Sequence, residues 1–183
     1  MTREETLSLM NEYVENEKLR KHMYAVEAAM KTYARKYNED ETVWGITGLI
    51  HDFDYEKYPS EEEHSIVGAG ILEEKGYPPE VIHAIRSHVP GSSTPRDALM
   101  DRTLFAVDEL CGFIVAVALV RPSKKIEEVK IKSIKKKLKA VGFARQVSRE
   151  HIEQGIEELG VERDEHMQTV LDAMKSISDS LGL

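Results

Sequence analysis

Along most of the chain apolar residues recur every three or four positions, the period of one helix face, and the alternation of a half-buried strand is nearly absent. The pattern predicts an all-α fold. Thr2 and Glu5 have the spacing of a capping box, and Leu7, Met10 and Val14 follow on one face. Leu19, Met23, Val26, Met30, Tyr33 and Tyr37 then step by four and three, forming a long stripe that must face a core. Polar residues from Asn38 to Thr42 interrupt the period, and Trp44 to Asp52 resumes it with Ile46, Leu49 and Ile50. Ser60 and Glu63 suggest a second capping box opening a helix through Leu72; Gly76 closes it, and Pro78 and Pro79 start the next. The Gly, Ser, Thr and Pro cluster between Pro90 and Pro95 reads as a loop before the most apolar helix, Asp97 to Val120. Ser148 to Leu183 reads as two further helices parted near Gly160.

A chain of 183 residues and 20.8 kDa is close to the size of one domain, so a single core is expected. Hydrophobic residues at 41% and charged residues at 32% exclude a disordered chain, and a net charge of −8 argues against a general nucleic-acid coat. Cys111 is the one cysteine, so no internal disulfide forms and a reducing cytoplasm fits. The start MTREETLSLM lacks the order of a secretory signal, and the longest apolar run, Leu110 to Val120, has eleven residues where a membrane span needs roughly 20. The expectation is therefore a cytoplasmic protein with no membrane partner. Charge is segregated: Arg121 to Arg145 holds ten basic and two acidic residues, a local +8, leaving −16 for the rest. Within it Ile126, Val129, Ile131, Ile134 and Leu138 make an amphipathic stretch, read first as a solvated helix face; without interleaved aromatics, nucleic-acid contact is the lesser reading.

Five of seven histidines fall in the first half of the chain. His22 projects about 60° from the centre of the Leu19 to Met30 stripe, and His64 lies within about 20° of Ile71, on a face with Val67. His88 lies about 65° from the middle of the Val81, Ile82, Ile85 and Val89 face and is a candidate ligand, whereas His83, about 155° away, is expected to face water. His51 and Asp52 adjoin where a helix ends, so both can meet one ion only if the backbone turns there. Asp108 sits inside the most hydrophobic helix, where a carboxylate needs a partner that a metal would supply. Imidazole and carboxylate together suit Mn, Fe, Co, Ni or Zn, and a shared carboxylate can bridge two ions.

His22, GLIHDFD from Gly48 to Asp54, His64 ahead of Gly68 to Leu72, AIRSH ending at His88, and AVDEL around Asp108 occur in an order that resembles the HD superfamily of metal-dependent phosphohydrolases, in its HDIG-domain branch. The resemblance runs from Leu19 to about Lys125, which divides the single domain into a metal-binding core of about 19–125 and a helical extension of about 126–183. It implies that His22, His51, Asp52 and Asp108 bind one ion, and that in a binuclear member Asp52 bridges to a second ion held by His64 and His88. A metal-activated water would then attack phosphorus in a small phosphorylated substrate such as a nucleotide. Asp54 departs from the pattern, standing where glycine is usual. Lys57, Arg86, Arg96, Arg121 and Lys124 are candidates to meet the substrate's negative charge, with Arg121, at the end of the Asp108 helix, favoured as a catalytic residue beside Asp52. Two other readings stand beside it: a di-iron oxygenase on the same scaffold, and a non-catalytic nucleotide- or RNA-binding module in which Arg121 to Arg145 touches RNA or an acidic partner.

Overall fold

A computed structural model describes residues 1–60 and 62–183. Among the described residues there are ten α-helices and no strand: α1 Arg3–Tyr13, α2 Glu17–Tyr37, α3 Glu41–Ile50, α4 Ile66–Glu74, α5 Pro79–His88, α6 Leu99–Leu119, α7 Ile131–Leu138, α8 Arg149–Leu159, α9 Arg163–Lys175 and α10 Ser178–Leu181, with a 3₁₀ turn at Ile126–Glu128. The all-α expectation holds. Thr2 caps α1 in a reciprocal box with Glu5, Asn38 in left-handed conformation ends α2, and the Asp40 side chain accepts from Thr42 and Val43 to start α3.

The two long helices organise the rest. The α2 stripe packs on α3, α6 and α9, while α6 lies against α2, α5, α8 and α9. One apolar cluster joins Met30, Tyr33, Leu104, Leu110, Phe113 and Val170; a second joins Met10, Met23, Leu49, Phe53, Leu72 and Ile85. Leu110, Phe113, Ile114 and Val117 from the eleven-residue apolar run are buried in the first cluster, each stabilising the fold by about 1.5–3 kcal/mol. No helix among the described residues is long and apolar enough to cross a membrane.

Two glycines let helices touch backbone to backbone, and both contacts set the position of chemistry-bearing helices. A Cβ on Gly48 would lie 2.9 Å from the Glu27 backbone, so α3 rides directly on α2 and brings His51, at its end, beside His22. A Cβ on Gly155 would lie 2.6 Å from Ala106 Cα, which seats α8 on α6. Across this junction the Tyr33 hydroxyl donates to His166 Nδ1 at 2.6 Å, and His166 Nε2–H donates to the Ala106 carbonyl at 3.0 Å, tying α2, α9 and α6 together. Burial lowers His166 to about 4, so it holds this place as a neutral ring.

The helix expected from Ser60 begins only at Ile66. Ser60 does bond Glu63, but Ser65 adopts a left-handed conformation (φ 65°) that breaks the helical path ahead of α4. The C-terminal region carries the expected break at Gly160, left-handed at φ 69°, and adds a short α10 that the pattern did not reveal. In the basic segment α7 buries Ile134 and Leu138 and turns its lysines outward, Lys135 pairing with Asp164 at 2.7 Å.

Candidate metal centre

Four helices deliver one polar cluster. His22 comes from the second turn of α2, His51 and Asp52 from just past the end of α3, His88 from the last residue of α5 and Asp108 from the middle of α6; His64 comes from the turn before α4. All six residues expected from the sequence converge. The two oxygens of Asp52 face different groups: Oδ2 lies 3.4 Å from His51 Nε2 and 3.9 Å from His22 Nε2, while Oδ1 lies 3.2 Å from both His64 Nε2 and His88 Nε2. Asp108 Oδ1 closes the first group, 2.9 Å from His22 Nε2 and 3.6 Å from His51 Nε2. The donor atoms of His22, His51 and Asp108 lie within 4.8 Å of one another, as do those of His51, Asp52 and His88.

The outer nitrogens of three rings are fixed by acceptors, which fixes the inner ones. His51 Nδ1–H donates to the Gly48 carbonyl at 2.9 Å, His88 Nδ1–H to the Ile85 carbonyl at 2.6 Å, and His64 Nδ1–H to Asp54 Oδ1 at 3.0 Å. Each ring therefore points Nε2 into the cluster. His51 Nε2 is fully buried and has no hydrogen-bond partner, because 3.4 and 3.6 Å are long for N–H···O. An orphaned buried nitrogen aimed at two carboxylates is what a divalent cation would satisfy, so the donor set fits Mn, Fe, Co, Ni or Zn. Without cations the carboxylates draw protons instead. Burial pushes His51 down, but the Asp52 and Asp108 carboxylates outweigh it and hold the ring well above the usual imidazole value. Burial likewise opposes, and the Asp52 and Asp54 carboxylates override, for His64, raised to about 9. Asp52 and Asp108 are held well below the usual carboxylate range against burial, Asp52 chiefly by His51 and Asp108 by His22 and His51.

The cluster opens into a cleft of about 240 Å³ whose remaining walls are Tyr55, Val89, Pro90, Glu109 and Gly112. A larger cavity of about 430 Å³ lies against Arg3, Glu27 and Lys31, where both bases pair with the one Glu27 carboxylate, and none of the six residues lines it. Sequence reasoning missed Glu109 and Tyr55. Glu109 is raised to about 7 by burial and by the neighbouring Asp108 charge, and its adjacency to Asp108 was the available signal. Tyr55, exposed, meets the His64 ring edge-on at 5.0 Å.

Four of the five expected substrate-binding bases are held elsewhere, and none of the five lines the cleft. Arg121 is thirteen residues beyond Asp108, roughly 20 Å along the helix direction at 1.5 Å per residue. It pairs with Glu128 at 3.3 Å, which corrects the expectation that it meets substrate. Lys57 donates to the Glu12 carbonyl, Arg86 pairs with Glu73, and Arg96 pairs with Glu158; Lys124 is exposed in the segment beyond the end of α6. His83 does not simply face water: its Nδ1 lies 3.0 Å from Asp101 Oδ2, the oxygen that also caps α6 by accepting from Ala98 N–H.

The family model described as HD domain matches residues 19–118, more than half of the chain and the span holding all six clustered residues. No curated protein and no solved structure matches the chain.

Proposed function

Because the chain belongs to the HD domain family, within a superfamily of metal-dependent hydrolases, we propose that it is a phosphohydrolase acting on small phosphomonoesters, a nucleoside monophosphate among them. The observation that carries this reading is the position of Asp52, with one oxygen toward His22 and His51 and the other toward His64 and His88. That arrangement suits a carboxylate shared between two divalent ions, the first held by His22, His51, Asp52 and Asp108 and the second by Asp52, His64 and His88. Bound there, such ions supply positive charge for phosphate oxygens and make water nucleophilic near neutral pH.

The residues of this chain divide the remaining work. Gly48, Ile85 and Asp54 hold three rings in the orientation that keeps Nε2 inward, so no reorganisation is needed when substrate arrives. Among the described residues lining the cleft there is no lysine or arginine, and Asp52, Asp108 and Glu109 are all acidic. Any phosphate outside reach of the two ions would find no basic side chain on the cleft wall. A single phosphate is therefore the favoured load, and Tyr55 offers an exposed ring beside His64 for the organic part of the ester.

Protein loaded with Mn, Co or Ni is expected to hydrolyse members of a phosphomonoester panel, and Asp52→Ala to lose both that activity and metal uptake. Metal-loaded, folded wild-type protein that cleaves no phosphoester would refute the hydrolase reading while leaving the metal centre standing.

A further inference from the structure

Resting on the two-ion reading above, we infer that Asp54 is a positioning residue for the second ion: it holds the His64 ring so that Nε2 meets Asp52. Its place in the chain is where the HDIG pattern has glycine, which has no side chain to do this. Asp54 is fully buried, a position that a carboxylate tolerates only when its oxygens are well supplied with donors. Three are present: Ser65 N–H and Gly68 N–H each donate to Oδ2 at 2.9 Å, and His64 Nδ1–H donates to Oδ1 at 3.0 Å.

The need for this carboxylate follows from where His64 stands. His51 and His88 each lie at a helix end and donate Nδ1–H to the carbonyl three residues earlier in their own helix. His64 lies in the turn before α4, and its Nδ1–H donates instead to a side chain ten positions earlier. The backbone is shaped around the arrangement. Ser65 is left-handed, which aims its N–H at Asp54, and a Cβ on Gly68 would lie 2.6 Å from Asp54 Oδ2. A carboxylate on the outer nitrogen fixes the tautomer and makes the inner nitrogen a stronger donor, and losing such a partner costs about 10–100-fold in metal affinity.

The test is a Mn(II) titration of the full chain by calorimetry, with thermal melts read by circular dichroism alongside. Wild type is expected to show two binding steps. Asp54→Asn, which cannot accept from all three donors, is expected to weaken one step by about 10–100-fold and leave the other within about threefold. In a His64→Ala background the same change is expected to add nothing to metal binding. Asp54→Ser, smaller and better able to admit a water, is carried through the same titrations. In the imidazole ¹⁵N spectrum of zinc-loaded wild type, His64 is expected to carry its proton on Nδ1, a readout that depends on no variant. Unchanged steps in a folded Asp54 variant, equal weakening of both steps, or a His64 proton on Nε2 would each overturn the inference and leave the two-ion reading intact. Wild type binding a single ion, or none, removes the two-ion reading and this inference with it.

Discussion

Loading the centre with metal should expel protons, and the structure sets how many. In the metal-free protein His64 is raised to about 9, so at pH 7 only about 1% of it is the neutral ring that an ion requires. Removing its proton at pH 7 costs about 2.7 kcal/mol, two pH units at 1.36 kcal/mol each, or about 100-fold in affinity. His51 is held well above its ordinary value as well and must also give up a proton. Both pKa values are raised, so the penalty is largest at low pH, and the His64 share of it fades as pH rises through about 9. Apparent metal affinity is therefore expected to climb at least tenfold per pH unit between 7 and 9. Calorimetric titration with Mn(II) at pH 7, in Pipes and in Tris, separates the heat of binding from that of the protons taken up by buffer. About two protons per chain are expected to be released at saturation, and about one in His64→Gln. Heats independent of the buffer, or an affinity flat from pH 7 to 9, would refute the reasoning.

The wall of the cleft predicts a charge preference: kcat/KM for a monophosphate ester should exceed that for the triphosphate of the same alcohol by tenfold or more, and equal rates would contradict it. His166 is depressed by burial, from an ordinary 6.5 to about 4, so it costs no stability above about pH 6.5, and stability is lost as pH falls from 6.5 to 4 because the unfolded chain gains a proton that the buried ring refuses. Urea unfolding should show wild type losing up to about 3 kcal/mol more than His166→Gln between pH 7.5 and 4; a pH-independent difference between the two would argue against it. Gly155→Ala places a methyl group 2.6 Å from Ala106 Cα and should destabilise the chain by about 1–3 kcal/mol in the same assay. Unchanged stability would show that α8 and α6 separate freely.

What was legible in the sequence is what local rules decide. The period of the α2 stripe placed His22 at the edge of a core face, and the cost of an unpartnered carboxylate marked Asp108 inside an apolar helix; both reach the cleft. The family match at residues 19–118 agrees with the ordered motifs read there. His64 reached the cluster by a route the periodicity could not describe. The wheel put it on a helix with Val67 and Ile71, whereas it stands in a turn oriented by Asp54, a contact across ten residues that no local rule supplies. Arg121 failed for the converse reason, since lying just past the end of the Asp108 helix places it several turns away from the centre. Glu109 depended on which side of α6 faces the cleft, and the packing of α2, α5 and α8 around that helix decides this.

The most direct measurement is anomalous diffraction from crystals grown with Mn(II), recorded for wild type and Asp52→Ala. Two peaks, one on each side of the Asp52 carboxylate, are expected in wild type, and neither at full height in the variant. No peak among His22, His51, His64, His88 and Asp108 in wild-type crystals would contradict the metal centre and the phosphohydrolase reading built on it.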